Sequence, residues 1–417
     1  MVRHRRPGRR AGAGAGAAGV GRAEGGEAVT ATESGLFPAP PPEPSAARAP
    51  VQLARDGYVD FLRAFSILVV VLWHWAFTIL QWTPAGPFAT SPLGSFSGLW
   101  VLTWLFQVLP LFFYVGGYVH LKAWQRARVR GEHLGHFVWR NVRKLSVPAL
   151  MLAGVWIALG LTLGIVFNLA WLGRAVLLVI SPLWFIAVYL LLIALIPVWF
   201  ALQRRFGAVT FVWMVGLTIL LDIARFRYHH DGFAYLNMVL VWGVAFQAGF
   251  YYEAVVRASR KVDAALLWAG LFGLVGLVFS GLYPGSMVGV PGEASNMAPP
   301  TLCIVALLTF QIGVAEMARP RIEHWLARPR PHRVVEVVNR FAMPVFLFHT
   351  TGMAIGRGVI YVVNGELGER TNPDLTWWLE RPLYVGVSLL CTLPVIWLFG
   401  RYARRRPTPL APSVRPA

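Results

Sequence analysis

One apolar stretch of this chain, residues 56 to 82 (DGYVDFLRAFSILVVVLWHWAFTILQW), carries an aspartate, an arginine and a histidine. A bilayer is crossed by about 20 apolar residues, so the stretch is long enough to span one. Ionisable side chains at that depth are expensive and are by default a sign of function. Arg63 and His74 lie eleven residues apart. At ~100° per residue this is about three turns, which puts both on one side of a helix, roughly 16 Å apart along its axis. Asp60 lies one turn before Arg63 on roughly the same side. An imidazole takes a proton from a hydroxyl near neutral pH, so in a water-poor site His74 can activate a sugar or alcohol oxygen for attack on an acyl carbonyl. Each residue also has a plainer reading. Arg63 fits a snorkelling or orienting cation, and His74 fits a hydrogen-bonded structural histidine.

Four further segments hold candidate groups. In WRNVRKLSVPAL, Arg140, Arg143 and Lys144 are spaced to cluster on a short helix before Pro148 opens the next span. They form either a phosphate clamp, since guanidinium groups bind phosphate with a planar fork of donors, or part of a cytoplasmic positive excess. In PLFFYVGGYV, Gly116 and Gly117 allow close approach of a helix or of a ligand. In SNMAPPTL, Asn296 and Thr301 can hydrogen-bond a polyol, and Pro299 and Pro300 fix the entry into a helix. His349, in MPVFLFHT, is a second histidine inside an apolar run. Cys303 and Cys391 both sit in apolar runs without metal-ligand spacing, so neither a disulfide framework nor a metal site is expected. HExxH, Walker A, GxSxG and kinase motifs do not occur, which removes the usual hydrolases and ATPases.

The elements that must position these groups are membrane helices. The chain is 56% hydrophobic and 14% charged, against about 25% charged in soluble domains. Ten apolar segments fall near 59–80, 97–120, 146–167, 182–201, 207–222, 233–252, 262–283, 299–318, 341–363 and 381–400. The expected fold is therefore all-α, a polytopic bundle of about ten spans. Alternate loops hold most of the basic residues: Lys122 to Lys144, Arg204 and Arg205, Arg257 to Lys261, Arg319 to Arg340, and Arg404 to Arg406. The opposite loops hold Arg174, Arg225, Arg227, Arg370 and Arg381. By the positive-inside rule both termini are cytoplasmic, in a multi-pass protein of the plasma membrane. The net charge of +19 is explained by these loops. No basic-aromatic module accompanies it, so nucleic acid is not expected as a partner.

Residues 1–54 read as a disordered tail rich in Arg, Pro, Ala and Gly, 55–402 as the membrane domain, and 403–417 as a short basic tail. The basic start is not followed by the apolar run of a secretory signal. No internal repeat is visible, which disfavours many transporter folds.

Taken together, the motifs resemble the integral-membrane acyltransferase family 3, whose members O-acylate sugars and cell-envelope polymers. The resemblance rests on DFLRAFSILVVVLWHW with its R-x10-H spacing, on FFYVGG, on Arg140-x-x-Arg143 with Pro148, on PLWFI around Trp184, and on FLFH ending at His349. It spans about residues 56 to 400. It implies that His74 is the catalytic histidine and that Arg63, Arg140 and Arg143 serve an acyl-coenzyme A donor, with Asp60 orienting Arg63. Asn296, Thr301, His349 and Trp184 then fall to the acceptor side, facing a sugar, glycolipid or envelope polymer. Acyl-CoA is a substrate here, and no bound cofactor is implied. Two features depart from the family pattern. Gly116 stands where a serine is usual, and no SGNH-type domain follows the tenth span, so the membrane domain is expected to act alone. The alternative from another class is a transporter or flippase of a lipid-linked sugar or polymer, whose pathway also needs intramembrane His and Arg.

Overall fold

The computed structural model describes residues 56–96, 98–290, 292–365 and 373–403. The tails expected at 1–54 and after residue 403 lie outside these residues. In chain order the elements are α1 (Gly57–Phe77), a hairpin of β1 (Ile79–Thr83) and β2 (Gly86–Thr90), α2 (Leu102–Phe106), α3 (Leu109–Val129), α4 (Leu134–Val166), α5 (Leu172–Ile180), α6 (Leu183–Ala194), α7 (Ile196–Phe206), α8 (Val209–Tyr228), α9 (Asp231–Ala234), α10 (Asn237–Ala248), α11 (Tyr252–Val256), α12 (Arg260–Phe279), α13 (Leu302–Leu326), α14 (Pro329–Asn364) and α15 (Leu375–Ala403). Among the described residues, nine helical segments are long and apolar enough to cross a membrane, or ten if α5 and α6, bent by 43°, form one span. The chain is a multi-pass helix bundle.

Three expectations need correction. The span expected at 182–201 is displaced: the apolar unit is α5 with α6, broken at Pro182, and Pro197 in the first turn of α7 separates off the rest. Proline supplies no N–H and opens a helix more readily than it continues one. Pro148 does not open a span. It sits inside the continuous α4, so Arg140 to Lys144 ride on the same helix as the span that follows. Proline is tolerated there because membrane bundles re-satisfy the freed backbone group. Arg381, expected in a loop, is buried within α15.

The start of α1 is fixed by a buried ionic cluster. Asp56 caps the helix by accepting from the Tyr58 and Val59 amides at 2.9 and 3.2 Å. Its other oxygen accepts from the Tyr252 hydroxyl at 2.8 Å, and that hydroxyl accepts from Arg319 at 2.9 Å. Glu316 holds the same guanidinium with two contacts of 2.6 and 2.9 Å. The guanidinium lies 4.1 Å from the Tyr58 ring centre. Buried charges persist when paired and hydrogen-bonded in this way. From here α1 runs inward, packed against α3, α13, α14 and α15.

The strands were not foreseen. A two-residue turn at Pro84 and Ala85 joins them, with Thr83 paired to Gly86. Gly86 has φ of 109° and lies so close to Trp171 that a Cβ would stand 2.8 Å from the Trp171 Cβ, so only glycine fits both the turn and the contact. This pins the hairpin to the segment just before α5.

The glycines of α3 serve helix packing. A Cβ on Gly117 would lie 1.8 Å from the Phe246 carbonyl oxygen of α10, and one on Gly249 would lie 2.0 Å from the Tyr114 carbonyl oxygen of α3. The two backbones touch at reciprocal glycines, which is how membrane helices gain van der Waals contact. Gly117→Ala therefore forces α3 from α10 and should lower stability by about 1–3 kcal/mol or more. The readout is the thermal midpoint of the detergent-solubilised protein, and an unchanged midpoint would contradict the packing account.

Candidate active site

α1 and α14 meet at two histidines. The His349 Nε2 lies 3.1 Å from the His74 Nδ1, and the His349 Nδ1 lies 2.6 Å from the Phe346 carbonyl oxygen. A carbonyl only accepts, so the His349 Nδ1 carries a proton. In the neutral ring its Nε2 is then an acceptor, and the His74 Nδ1 must donate to it. That leaves the His74 Nε2 with a bare lone pair. Among the described residues it has no hydrogen-bond partner, and it is not sealed off in the packing. The pair thus presents one basic nitrogen with its tautomer fixed from behind.

Neighbouring residues hold this geometry. Trp75, next to His74, donates from its indole to the His349 carbonyl oxygen at 2.9 Å. Thr350 donates to the Val179 carbonyl oxygen at 2.8 Å, at the end of α5 where the bend leaves that group outside the helix ladder. The Trp156 indole of α4 donates to the Thr351 hydroxyl at 3.0 Å. His349, Thr350 and Thr351 are all buried, and each ties α14 to a different helix.

The His74 side chain lines a chamber of about 270 Å³. Val70, Trp184, Phe185 and Phe346 form apolar walls, while Thr78, Thr90, Ser91 and Gln107 add polar groups. β2 contributes Ala89 and Thr90 to the lining, and the α12–α13 connection contributes Val288, Gly289 and Met297. An apolar pocket with a few convergent polar groups suits a small polar substrate. Trp184 is among the residues that line the chamber.

Asp60 and Arg63 form an ion pair at 3.6 Å, about three turns from His74 along α1. The charge of Arg63 reaches His120 of α3 and Tyr189 of α6. Of the basic segment on α4, it is Lys144 whose charge also reaches His120. Arg140 is turned to Glu132 and Arg143 is exposed. Gly116 gives its carbonyl to the His120 Nδ1 at 2.9 Å, and a Cβ there would stand 2.7 Å from the Tyr189 hydroxyl.

The acceptor-side expectation for Asn296 and Thr301 is not met. Both are fully buried. Asn296 donates to the Pro284 and Ser286 carbonyl oxygens at 2.6 and 3.0 Å, and Thr301 donates to the Asn296 Oδ1 at 2.7 Å. Their polar atoms are spent on folding the loop that bears Met297. Asp222 anchors the same loop, accepting from Asn237, Tyr283 and the Leu302 amide at 2.9, 3.1 and 2.8 Å. Burial, with the Asp222 carboxylate beside it, pushes the Tyr283 hydroxyl well up, so it stays a donor. His349 was also assigned to the acceptor side. Both of its ring nitrogens are engaged, so it faces His74 rather than a substrate.

Sequence reading missed Trp75, Trp156, Thr350 and Thr351. One signal was available: HTT places three consecutive polar residues at depth in an apolar run. It also missed Thr78, Thr90 and Gln107, whose role depends on the hairpin and loop.

In comparison with known proteins, the family model of acyltransferase family 3, described as an acyltransferase domain, matches residues 56–401. No curated protein and no solved structure matches the chain.

Asn296→Ala removes the donors for two carbonyls and the acceptor for Thr301. Buried groups left without partners cost about 1–3 kcal/mol. The expected outcome is a lowered thermal midpoint. A substrate-contact role predicts instead an unchanged midpoint with weakened acceptor binding.

Proposed function

The chain belongs to acyltransferase family 3 and is a membrane acyltransferase of groups other than aminoacyl groups, and on that premise we propose that it moves an acyl group, acetyl by the size of the chamber, from acyl-coenzyme A to a hydroxyl of a sugar-bearing acceptor. Glycolipids, envelope polymers and glycosylated metabolites are the acceptor classes. The site of action is the plasma membrane, with both termini cytoplasmic, a reading supported by the distribution of basic loops.

The observation that carries the proposal is a His74 side chain that lines a small chamber, with its Nδ1 held by His349 and its Nε2 therefore bare. In the proposed reaction the Nε2 takes the proton of the acceptor hydroxyl as the oxygen attacks the thioester carbonyl. The tetrahedral intermediate collapses, the carbon–sulfur bond breaks, and the imidazolium returns its proton to the leaving thiolate. The products are the O-acyl ester and free coenzyme A. His349 is a positioning residue: it keeps the His74 tautomer correct and accepts a stronger hydrogen bond while His74 is charged. Arg63, oriented by Asp60, and the exposed Arg140 and Arg143 serve the donor phosphates from the cytoplasm. The ~16 Å between Arg63 and His74 is of the order of the pantetheine arm.

The direct assay is release of coenzyme A from labelled acetyl-CoA by the purified protein. General-base assistance is worth about 10²–10⁴-fold, so His74→Ala should lose that much turnover while still accumulating in the membrane. Full activity in this variant would refute the role of His74. His349→Leu removes the side-chain acceptor of the His74 N–H and should slow turnover about tenfold or more, mainly through kcat. Joint substitution of Arg63, Arg140 and Arg143 by Gln should raise the KM for acetyl-CoA, and retained donor affinity would remove the phosphate assignment. Mass spectrometry of glycans and lipids from a deletion strain identifies the acceptor.

A further inference from the structure

A second buried histidine lies outside the proposed chemistry. His120 of α3 points its Nδ1 at the Gly116 carbonyl oxygen, 2.9 Å away, so that nitrogen carries the proton. Its Nε2 then holds a lone pair. Among the described residues this atom has no hydrogen-bond partner, yet it is not sealed within the packing. The Tyr189 hydroxyl of α6 lies 3.4 Å from the His120 Nδ1. It cannot donate to a nitrogen that is already protonated, so its own proton is available. The bundle therefore sets a free acceptor beside a free donor.

The position of this pair follows from α6. Phe185 lines the His74 chamber, and Tyr189 sits one turn further along, about 6 Å by the helical rise. The two rings stack at 6.2 Å between centres, and the Tyr189 and His120 rings lie 5.7 Å apart. Leu109, at the start of α3, also lines the chamber, and His120 lies eleven residues further along that helix, about 16 Å by the helical rise. His120 and Tyr189 thus lie off the chamber, toward the part of the bundle where the Arg63 and Lys144 charges act on His120. Gly116 makes this possible, since any side chain there would meet the Tyr189 hydroxyl.

We propose that His120 and Tyr189 form a donor-arm subsite that binds an amide of the pantetheine chain of the acyl donor, the Nε2 accepting its N–H and the hydroxyl donating to its C=O. This rests on the acyl-coenzyme A reading of the donor. The chemistry selects an amide over a phosphate. A neutral imidazole lone pair repels an anion, whereas a donor and an acceptor side by side match the two polar groups of an amide. The pantetheine arm carries amides between its phosphates and its thioester, and this pair lies off the chamber within reach of the Arg63 charge. A buried amide needs both of its hydrogen bonds met, so the pair also discriminates against thioesters that lack amides.

The test compares three thioesters on the full-length protein: acetyl-CoA, S-acetylpantetheine, and thiophenyl acetate, which has no amide. Thiol release is measured for the wild type, Tyr189→Phe and His120→Phe. The tyrosine variant loses one oxygen atom and keeps the packing. A neutral hydrogen bond corresponds to about a three- to tenfold effect, expected here as a raised KM for acetyl-CoA and S-acetylpantetheine. The loss with thiophenyl acetate should be clearly smaller. An unchanged KM for acetyl-CoA in Tyr189→Phe overturns the subsite, and so does an equal loss with all three donors, which marks a structural role. If His120→Phe does not accumulate, Tyr189→Phe alone decides. Wild-type protein that turns over neither coenzyme A nor pantetheine thioesters overturns the donor reading and this subsite together. Turnover of acetyl-CoA by the wild type without a donor-selective effect in Tyr189→Phe overturns the subsite alone.

Discussion

A histidine inside a membrane bundle has two ring nitrogens and no bulk water to satisfy them. The contact between the His74 Nδ1 and the His349 Nε2 answers this for three of the four nitrogens in the pair, once the Phe346 carbonyl is counted. The fourth, the His74 Nε2, belongs to a side chain that lines the chamber. Much of the nearby structure keeps α1 and α14 in the register that this contact needs. Trp75 grips the backbone of His349, while Thr350 and Thr351 fasten the same turn of α14 to α5 and α4. At the far end of α1, Asp56, Tyr252, Arg319 and Glu316 fix where the helix begins. The length of α1 between these anchors then sets the depth of His74.

The same requirement shapes the chamber. The bend between α5 and α6 brings Pro182, Trp184 and Phe185 to its wall, and the carbonyl exposed near that bend is met by Thr350. The α12–α13 connection is folded by Asn296, Thr301 and Asp222, and its product is the placement of Val288, Gly289 and Met297 over the cavity. Polar residues in this protein thus divide into two kinds. Most satisfy one another and hold the backbone. A few, such as the His74 Nε2 and the His120 Nε2, are left with a lone pair unmet.

Much of the architecture was legible in the sequence. Apolar runs of spanning length are a strong signal, and each expected span overlaps a helix or the bent α5–α6 pair. Helix breaks were less legible, because proline acts differently by context: Pro182 breaks a span, and Pro148 rides inside one. The hairpin was missed because ILQWTPAGPFAT offers only a short, weakly alternating pattern, and its packing on Trp171 is a long-range fact. At the site, the R-x10-H spacing on one helix face could be read from helical geometry alone. The partnership of His74 with His349 could not, since it joins residues far apart in the chain. Asn296 and Thr301 misled for the converse reason. Their types suit a polyol, but only the folded loop shows their hydrogen bonds already used.

On this geometry His74 holds its proton on Nδ1, donated to His349, and keeps Nε2 bare. Nitrogen-15 NMR of histidine-labelled protein in bilayers reads this directly, with the His74→Asn and His349→Asn variants assigning the signals. The expected spectrum shows a neutral His74 with a protonated Nδ1 and an unprotonated Nε2, and a His349 protonated at Nδ1. A His74 protonated at Nε2 in the resting protein would contradict it, because Nε2 then has no lone pair to offer the hydroxyl of an acceptor.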